Sequence, residues 1–250
     1  MGDTPYSARE VRALDRVIAQ MNAEPLAFVA HVGDITSGAG PCSDAWLEAR
    51  KRQFARIRHP FVLLPGDNEW TDCHRSGFDP LERLAKWRSL FCTPAPAIAL
   101  ERQAGETCEN VRWRAGGMMF IGLNVPGGGN DLRHPAEHAR RMAAVFDWLD
   151  ESLSRAEEER APKIFILMQA DPMFGRPRPG DGYARLRAVL ATDAQWFGGR
   201  LVLVHGDGHV YRDDRPLPGL RRIEVYGSPW VRWLRARWAD GELSVEPVAP

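Results

Sequence analysis

The chain has no net charge, since 33 lysines and arginines balance 33 aspartates and glutamates over 250 residues. No global field therefore draws it to nucleic acid or to an anionic membrane, and any preference for a phosphate-containing small molecule has to come from local groups. It has no apolar run long enough for a transmembrane helix, and its first residues hold neither a basic n-region nor an apolar h-region. Cysteine is scarce: Cys42, Cys73, Cys92 and Cys108 form no CxxC pair and have no zinc-finger spacing. Gly127-Gly128-Gly129 lacks the lysine of a P-loop and the spacing of a dinucleotide fingerprint, so it reads as a flexible connection. Internal repeats and low-complexity segments are absent too, and this length suits one α/β domain.

What is present is an alternation of helix and strand signals. Ser7-Ala8-Arg9-Glu10 has capping-box spacing, and Val11, Leu14, Val17, Ile18 and Met21 follow at helical intervals, which predicts a helix ending before Pro25. Residues 26–32 read as a buried strand, 43–57 as a helix opened by a serine cap, and 61–64 as a second strand. This β-α-β order implies parallel pairing with right-handed crossovers. Further helices are expected over 79–90, 134–158 and 183–197, and strands over 111–113, 118–123, 163–169 and 201–205. After residue 220 the pattern becomes antiparallel, with a hairpin signal at Asp240-Gly241. Trp230, Trp233 and Trp238 among arginines read as sheet packing rather than as a nucleic-acid surface.

Four Gly-Asp pairs punctuate this pattern: Gly2-Asp3, Gly33-Asp34, Gly66-Asp67 and Gly206-Asp207. The last three close apolar runs, so their carboxylates can meet where strand ends converge, and aspartate oxygens there suit hard cations. The first pair has no strand before it, which leaves room for an upstream strand, with or without a signal peptide. Cys42 and Cys73 each follow a Gly-Asp loop, while Cys92 and Cys108 bracket a Pro- and Ala-rich loop. Pairing of 42 with 73 and of 92 with 108 is favoured, and it would place the chain in a periplasmic or secreted setting; four free thiols in a cytoplasmic protein is the competing reading.

The order Gly-Asp, Gly-Asp, Gly66-Asp67-Asn68-Glu69, a strand ending near Gln169, and Gly206-Asp207-Gly208-His209 resembles the calcineurin-like metallophosphoesterases, which include purple acid phosphatases. The resemblance implies two packed mixed β-sheets flanked by helices, an αββα sandwich. It also implies a phosphoester hydrolase with two divalent metals and a metal-bridging hydroxide as nucleophile. Carried over by position, Asp3, Asp34, Asp67, Gln169, Asp207 and His209 become metal ligands, with Asp34 bridging, and Asn68 touches metal or phosphate. Asp67 stands where the family has asparagine, Asn68 and Asp207 where it has histidine, and Gln169 at a later histidine position. Oxygen thus replaces nitrogen, which favours Mn, Mg or Ca over Zn or Fe. With the usual catalytic histidine replaced, His74 is the expected proton donor and Arg75 the phosphate clamp, Trp70 a stacking surface, and Tyr6 a further ligand candidate. The same replacements make a catalytically degenerate relative, binding a ligand or protein partner, the alternative reading.

Overall fold

Helix α1 (Ala8–Asn22) starts as its capping box dictates: the Ser7 hydroxyl accepts from the Glu10 N–H, and Glu10 returns a carboxylate to the Tyr6 N–H. Its apolar stripe, Leu14, Val17, Ile18 and Met21, is fully buried. In the computed structural model, which describes residues 1–92, 98–175, 177 and 180–249, α1 leads into β1 (Val29–His31). Helix α2 (Asp44–Phe54), capped by Ser43, then returns the chain to β2 (Phe61–Leu63), parallel to β1. A 3-10 turn (Thr71–Ser76) and α3 (Pro80–Phe91), capped by Asp79 with proline at its first turn, complete this half.

The larger sheet follows. It holds β3 (Glu101–Arg102), β4 (Val111–Ala115), β5 (Met118–Gly122), β6 (Ile164–Leu167), β7 (Leu201–His205), β8 (Arg212–Leu217) and β9 (Leu220–Glu224), in the spatial order β3-β4-β5-β6-β7-β9-β8. Strands β5, β6, β7 and β9 are mutually parallel, and the edges are antiparallel. The irregular turn α4 (Gly127–Asn130) and the helices α5 (Pro135–Glu158) and α6 (Ala184–Trp196) lie between these strands in sequence. A hairpin of β10 (Trp233–Ala239) and β11 (Glu242–Val248) ends the chain. Strand β8 was not legible in sequence because it is an exposed edge rich in charge, the usual protection of a sheet margin.

Three apolar clusters define the layers. One joins α5 and α6 to the large sheet, a second lies between the large sheet and the layer of β1, β2, β10 and β11, and a third joins that layer to α1, α2 and α3. The result is helices, sheet, sheet, helices, the sandwich expected, with the smaller layer made of two separate strand pairs among the described residues. Both expected disulfides are formed, Cys42–Cys73 and Cys92–Cys108, and no described cysteine is free. Two such bridges fit an extracellular setting. Among the described residues no helix is long and apolar enough to cross a membrane. The Pro- and Ala-rich loop bracketed by Cys92 and Cys108 falls partly outside the described residues, at 93–97.

Candidate metal centre

All four Gly-Asp pairs arrive at one place. Asp3 is not stranded: its N–H donates to the Gly33 carbonyl, its carbonyl accepts from the Ser228 N–H, and Met1 exchanges backbone bonds with Ala30 and Val32. Residues 1–4 thus run beside the end of β1, and Asp3 is wholly buried. Asp34 and Asp67 leave the ends of β1 and β2, and Asp207 and His209 follow β7. Asp3, Asp34, Asp207 and His209 all have left-handed backbones, with φ of 50, 60, 72 and 63°. Aspartate tolerates this region better than most residues, and such strain concentrates at functional sites.

The glycines of these pairs serve mainly for close approach rather than for turning. A Cβ on Gly66 would stand 1.9 Å from Asp34 Oδ1, and one on Gly206 would stand 2.1 Å from Asp3 Oδ2. Each carboxylate therefore rests on the glycine of another pair. Gly127 and Gly128 do the same for Asp67 and Asp207: a Cβ on Gly127 would lie 2.7 Å from Asp207 Oδ1 and 2.9 Å from Asp67 Oδ1. The glycine-rich segment is thus a wall of the site and not a mere connection. Its composition hid this, because close approach leaves no side-chain signature.

Asp34 is the most heavily bonded of the acids. Its Oδ2 accepts from Tyr6 Oη at 2.9 Å, Asn68 Nδ2 at 2.8 Å and Gln169 Nε2 at 3.1 Å, and its Oδ1 accepts from the Asn68 N–H at 3.0 Å. Gln169 Oε1 accepts from the Gly127 N–H, which turns the amide nitrogen toward Asp3 and Asp34. Glu69, which the sequence shows only as the closing acid of Gly66-Asp67-Asn68-Glu69, is the fastener of the site. Fully buried, it accepts from the N–H groups of Gly66, Asp34 and Ile35, and burial pushes its carboxyl up to about 7 against the lowering pull of those donors. His209 Nδ1 bonds the Ser228 carbonyl, so Nε2 is left to face Tyr6 Oη at 3.3 Å and Asp3 Oδ1 at 3.8 Å. This is the tautomer a metal-binding histidine uses.

Charge is the dominant property of the cluster. Burial first, and then the neighbouring carboxylates, raise Asp34 and Asp67 well above the usual range, and burial likewise raises Asp3 and Asp207. Among the described residues no lysine or arginine forms an ion pair with any of the four. Asp3 Oδ2 and Asp67 Oδ1 are buried without a hydrogen-bond partner. Buried carboxylates in this state call for cations, and an oxygen-rich set with one imidazole fits hard divalent ions. The side chains must still close on such an ion. Among the described residues the sole group of three acidic, histidine or cysteine ligand atoms within 4.8 Å of one another is Cys92, Cys108 and Glu109, whose sulfurs already bond each other.

The remaining sequence candidates sit at the rim or beneath the site. His74 is exposed, with Nδ1 at the Thr71 carbonyl and Nε2 2.7 Å from the Arg133 guanidinium. Arg75 pairs with Asp72 at 2.6 Å and donates to the Gly38 carbonyl. A Cβ on Gly38 would lie 2.9 Å from both Arg75 Nη1 and Asn68 Oδ1, so Arg75 borders the cluster through Asn68. Trp70 is fully buried beneath the loop and cannot stack on a ligand. His31, bonded to the Thr4 carbonyl and the Gly33 N–H, is a core histidine that burial pushes down to about 3.

No family model matches the chain, and no curated protein matches it. Solved structures do. A dimetal phosphatase from Danio rerio is 14% identical with a TM-score of 0.58, covering 91% of this chain and 86% of its own. The structure of PhoD is also 14% identical, with a TM-score of 0.55, covering 87% of this chain; the chain spans about half of PhoD, 54%. The chain therefore shares the fold of these two proteins.

Proposed function

We propose that the chain is a metal-dependent phosphoester hydrolase. The observation that carries this reading is the meeting of four carboxylates, from loops of both sheets, with no lysine or arginine among the described residues paired to any of them and only His209 beside Asp3. Asp3, Asp34, Asp67, Asp207 and His209 would hold up to two divalent cations, with Mn, Mg or Ca favoured over Zn or Fe by the donor atoms. Such cations supply an activated water and polarise a phosphoryl oxygen. The phosphatase named among the fold's neighbours supports the same class of chemistry.

The chain's own groups divide the remaining tasks. Asn68 fixes Asp34 through Nδ2, and its Oδ1 and Arg75 Nη1 both lie over Gly38, so the two would border the space for a phosphate. Gln169, held by the Gly127 N–H, donates to Asp34 and Asp3 and so orients both carboxylates. Arg75 supplies positive charge at the rim, shared with Asp72. His74, on the loop that continues from Asn68, would protonate the leaving oxygen only after its ring leaves Arg133 and the Thr71 carbonyl.

The test is metal content of the purified chain, together with turnover of phosphomonoesters and phosphodiesters in added Mn or Mg. The reading expects bound or recruitable metal, and activity reduced roughly a hundred- to a thousandfold in Asp34→Asn, the order seen on removing one electrostatic anchor of a reaction. No metal uptake and no turnover would favour the second reading, a degenerate relative that only binds. The observation on that side is the amide set of Asn68 and Gln169, which donates to Asp34 where cations would stand.

A further inference from the structure

The sequence groups Trp230, Trp233 and Trp238 as packing residues, and the structure divides them. Trp233 is buried with Val231 among the apolar residues of α1, α2 and α3, and Trp238 packs into the cluster between the two sheet layers. Trp230 belongs to neither cluster and is 55% exposed. Packing therefore gives no account of this ring.

Its segment is fastened to the candidate metal centre. A Cβ on Gly227 would lie 2.5 Å from Asp3 Cβ and 2.7 Å from His209 Cγ, the Ser228 N–H donates to the Asp3 carbonyl, and the Ser228 carbonyl holds His209 Nδ1. The Trp230 N–H then donates to the Gly227 carbonyl at 2.9 Å, which keeps Trp230 within one turn of these anchors. From the other side Val210, also exposed, directly follows His209. Tyr211 stacks on Tyr226 at 5.6 Å, and the Arg232 guanidinium lies over both Tyr226 and Trp230, at 5.2 and 5.6 Å. Among the described residues Arg232 forms no ion pair with a carboxylate. Val210, Tyr211, Tyr226, Arg232 and Trp230 thus make a chain of contacts that starts at His209, an aromatic shelf with one unpaired positive charge.

Large apolar side chains left open beside a site mark ligand contact. An aliphatic group would gain only buried area from this shelf, whereas a flat ring also gains from stacking on an indole that a guanidinium already holds in place. We propose, resting on the hydrolase reading, that the substrate is a small phosphoester carrying a flat aromatic group, with its phosphate at Asp3 and His209 and its ring on Trp230. Trp230 sets this preference without touching the reacting atoms. The stacking role that the sequence suggests for Trp70, which is fully buried, falls instead to Trp230.

Benzyl phosphate and cyclohexylmethyl phosphate separate stacking from size, since their leaving alcohols are alike in bulk and acidity. With the full chain in Mn, kcat/KM is expected to favour the benzyl ester about fivefold or more, through KM, the lower end of what stacking on one aromatic side chain provides. Trp230→Ala is expected to bring the ratio below about twofold, Trp230→Phe to keep about half of it, and Trp196→Ala, at the exposed tryptophan of α6, to leave it unchanged. Turnover of both esters without preference, or a preference that survives Trp230→Ala, would overturn the shelf and spare the hydrolase reading. If neither ester turns over, that reading fails, and the phosphonates of the same two groups decide the shelf by calorimetry in Mn. Tighter binding of benzylphosphonate, lost in Trp230→Ala, sustains it; equal binding of the two, or binding of neither, overturns it.

Discussion

Gly66 and Gly206 lie under carboxylates that belong to other motifs, so a methyl group at either site acts on Asp34 or Asp3 rather than on its own loop. For Gly206→Ala the expected result is at least a tenfold loss in Mn affinity by calorimetry, since Asp3 Oδ2 must leave its place, about 1.4 kcal/mol or more. Far-ultraviolet dichroism should stay unchanged, because Gly206 has no positive φ that alanine would strain. An unaltered affinity would mean that Asp3 holds no cation. The positions of Asp34, Asp67 and Asp207 were legible because each closes an apolar run. The supporting roles were not. Gln169, picked out by position as a ligand, instead acts through a bond to Gly127 42 residues earlier, Glu69, seen only as the closing acid of its motif, acts through three backbone N–H groups, and Ser228 acts through its carbonyl.

The element that carries Asn68 is stapled. The sulfurs of Cys42 and Cys73 both lie 3.4 Å from the Asn68 carbonyl, and the bridge closes a separation of 31 residues. Chain-entropy reasoning gives such a loop about 3–4 kcal/mol. The double variant Cys42→Ser with Cys73→Ser should therefore lower Tm and, if the proposed hydrolase reading holds, lower kcat more than Cys92→Ser with Cys108→Ser, whose bridge lies at the start of the β3–β4 region. Equal effects on kcat would detach the bridge from the site. Most elements were readable from caps and periodicity: Ser7, Ser43 and Asp79 all cap the helices they announce. Strand β8 was not, since Arg212, Asp213 and Asp214 look like a loop until their cross-strand pairs with Arg221, Arg222 and Glu224 are seen.

Across the whole molecule, the four pooled carboxylates tie stability to pH. In the metal-free chain the folded-state pKa values of Asp3, Asp34 and Asp67 lie above their unfolded values, because burial and mutual repulsion disfavour the ionised forms. Their contribution is then fully present below about pH 4 and is lost as pH rises toward the folded-state values. Metal-free Tm should fall from pH 5 to pH 8, and added Mn should restore more at pH 8 than at pH 5, because cations compete with protons for the same oxygens. Calorimetry with and without chelator checks both slopes. The order of layers was legible because helix and strand signals alternate first and a hairpin closes the chain, but β9, expected in an antiparallel run, lies parallel to β7 and is antiparallel only to β8. Finally, the Asp207 N–H reaches Asp3 across 204 positions, and Tyr6 meets His209 across 203. Closures of that span come late in folding. A chain cut after residue 200 would still hold Asp3, Asp34 and Asp67 together through β1, β2, Asn68 and Gln169 but would lack Asp207 and His209, so under the proposed metal reading its cation affinity should be incomplete.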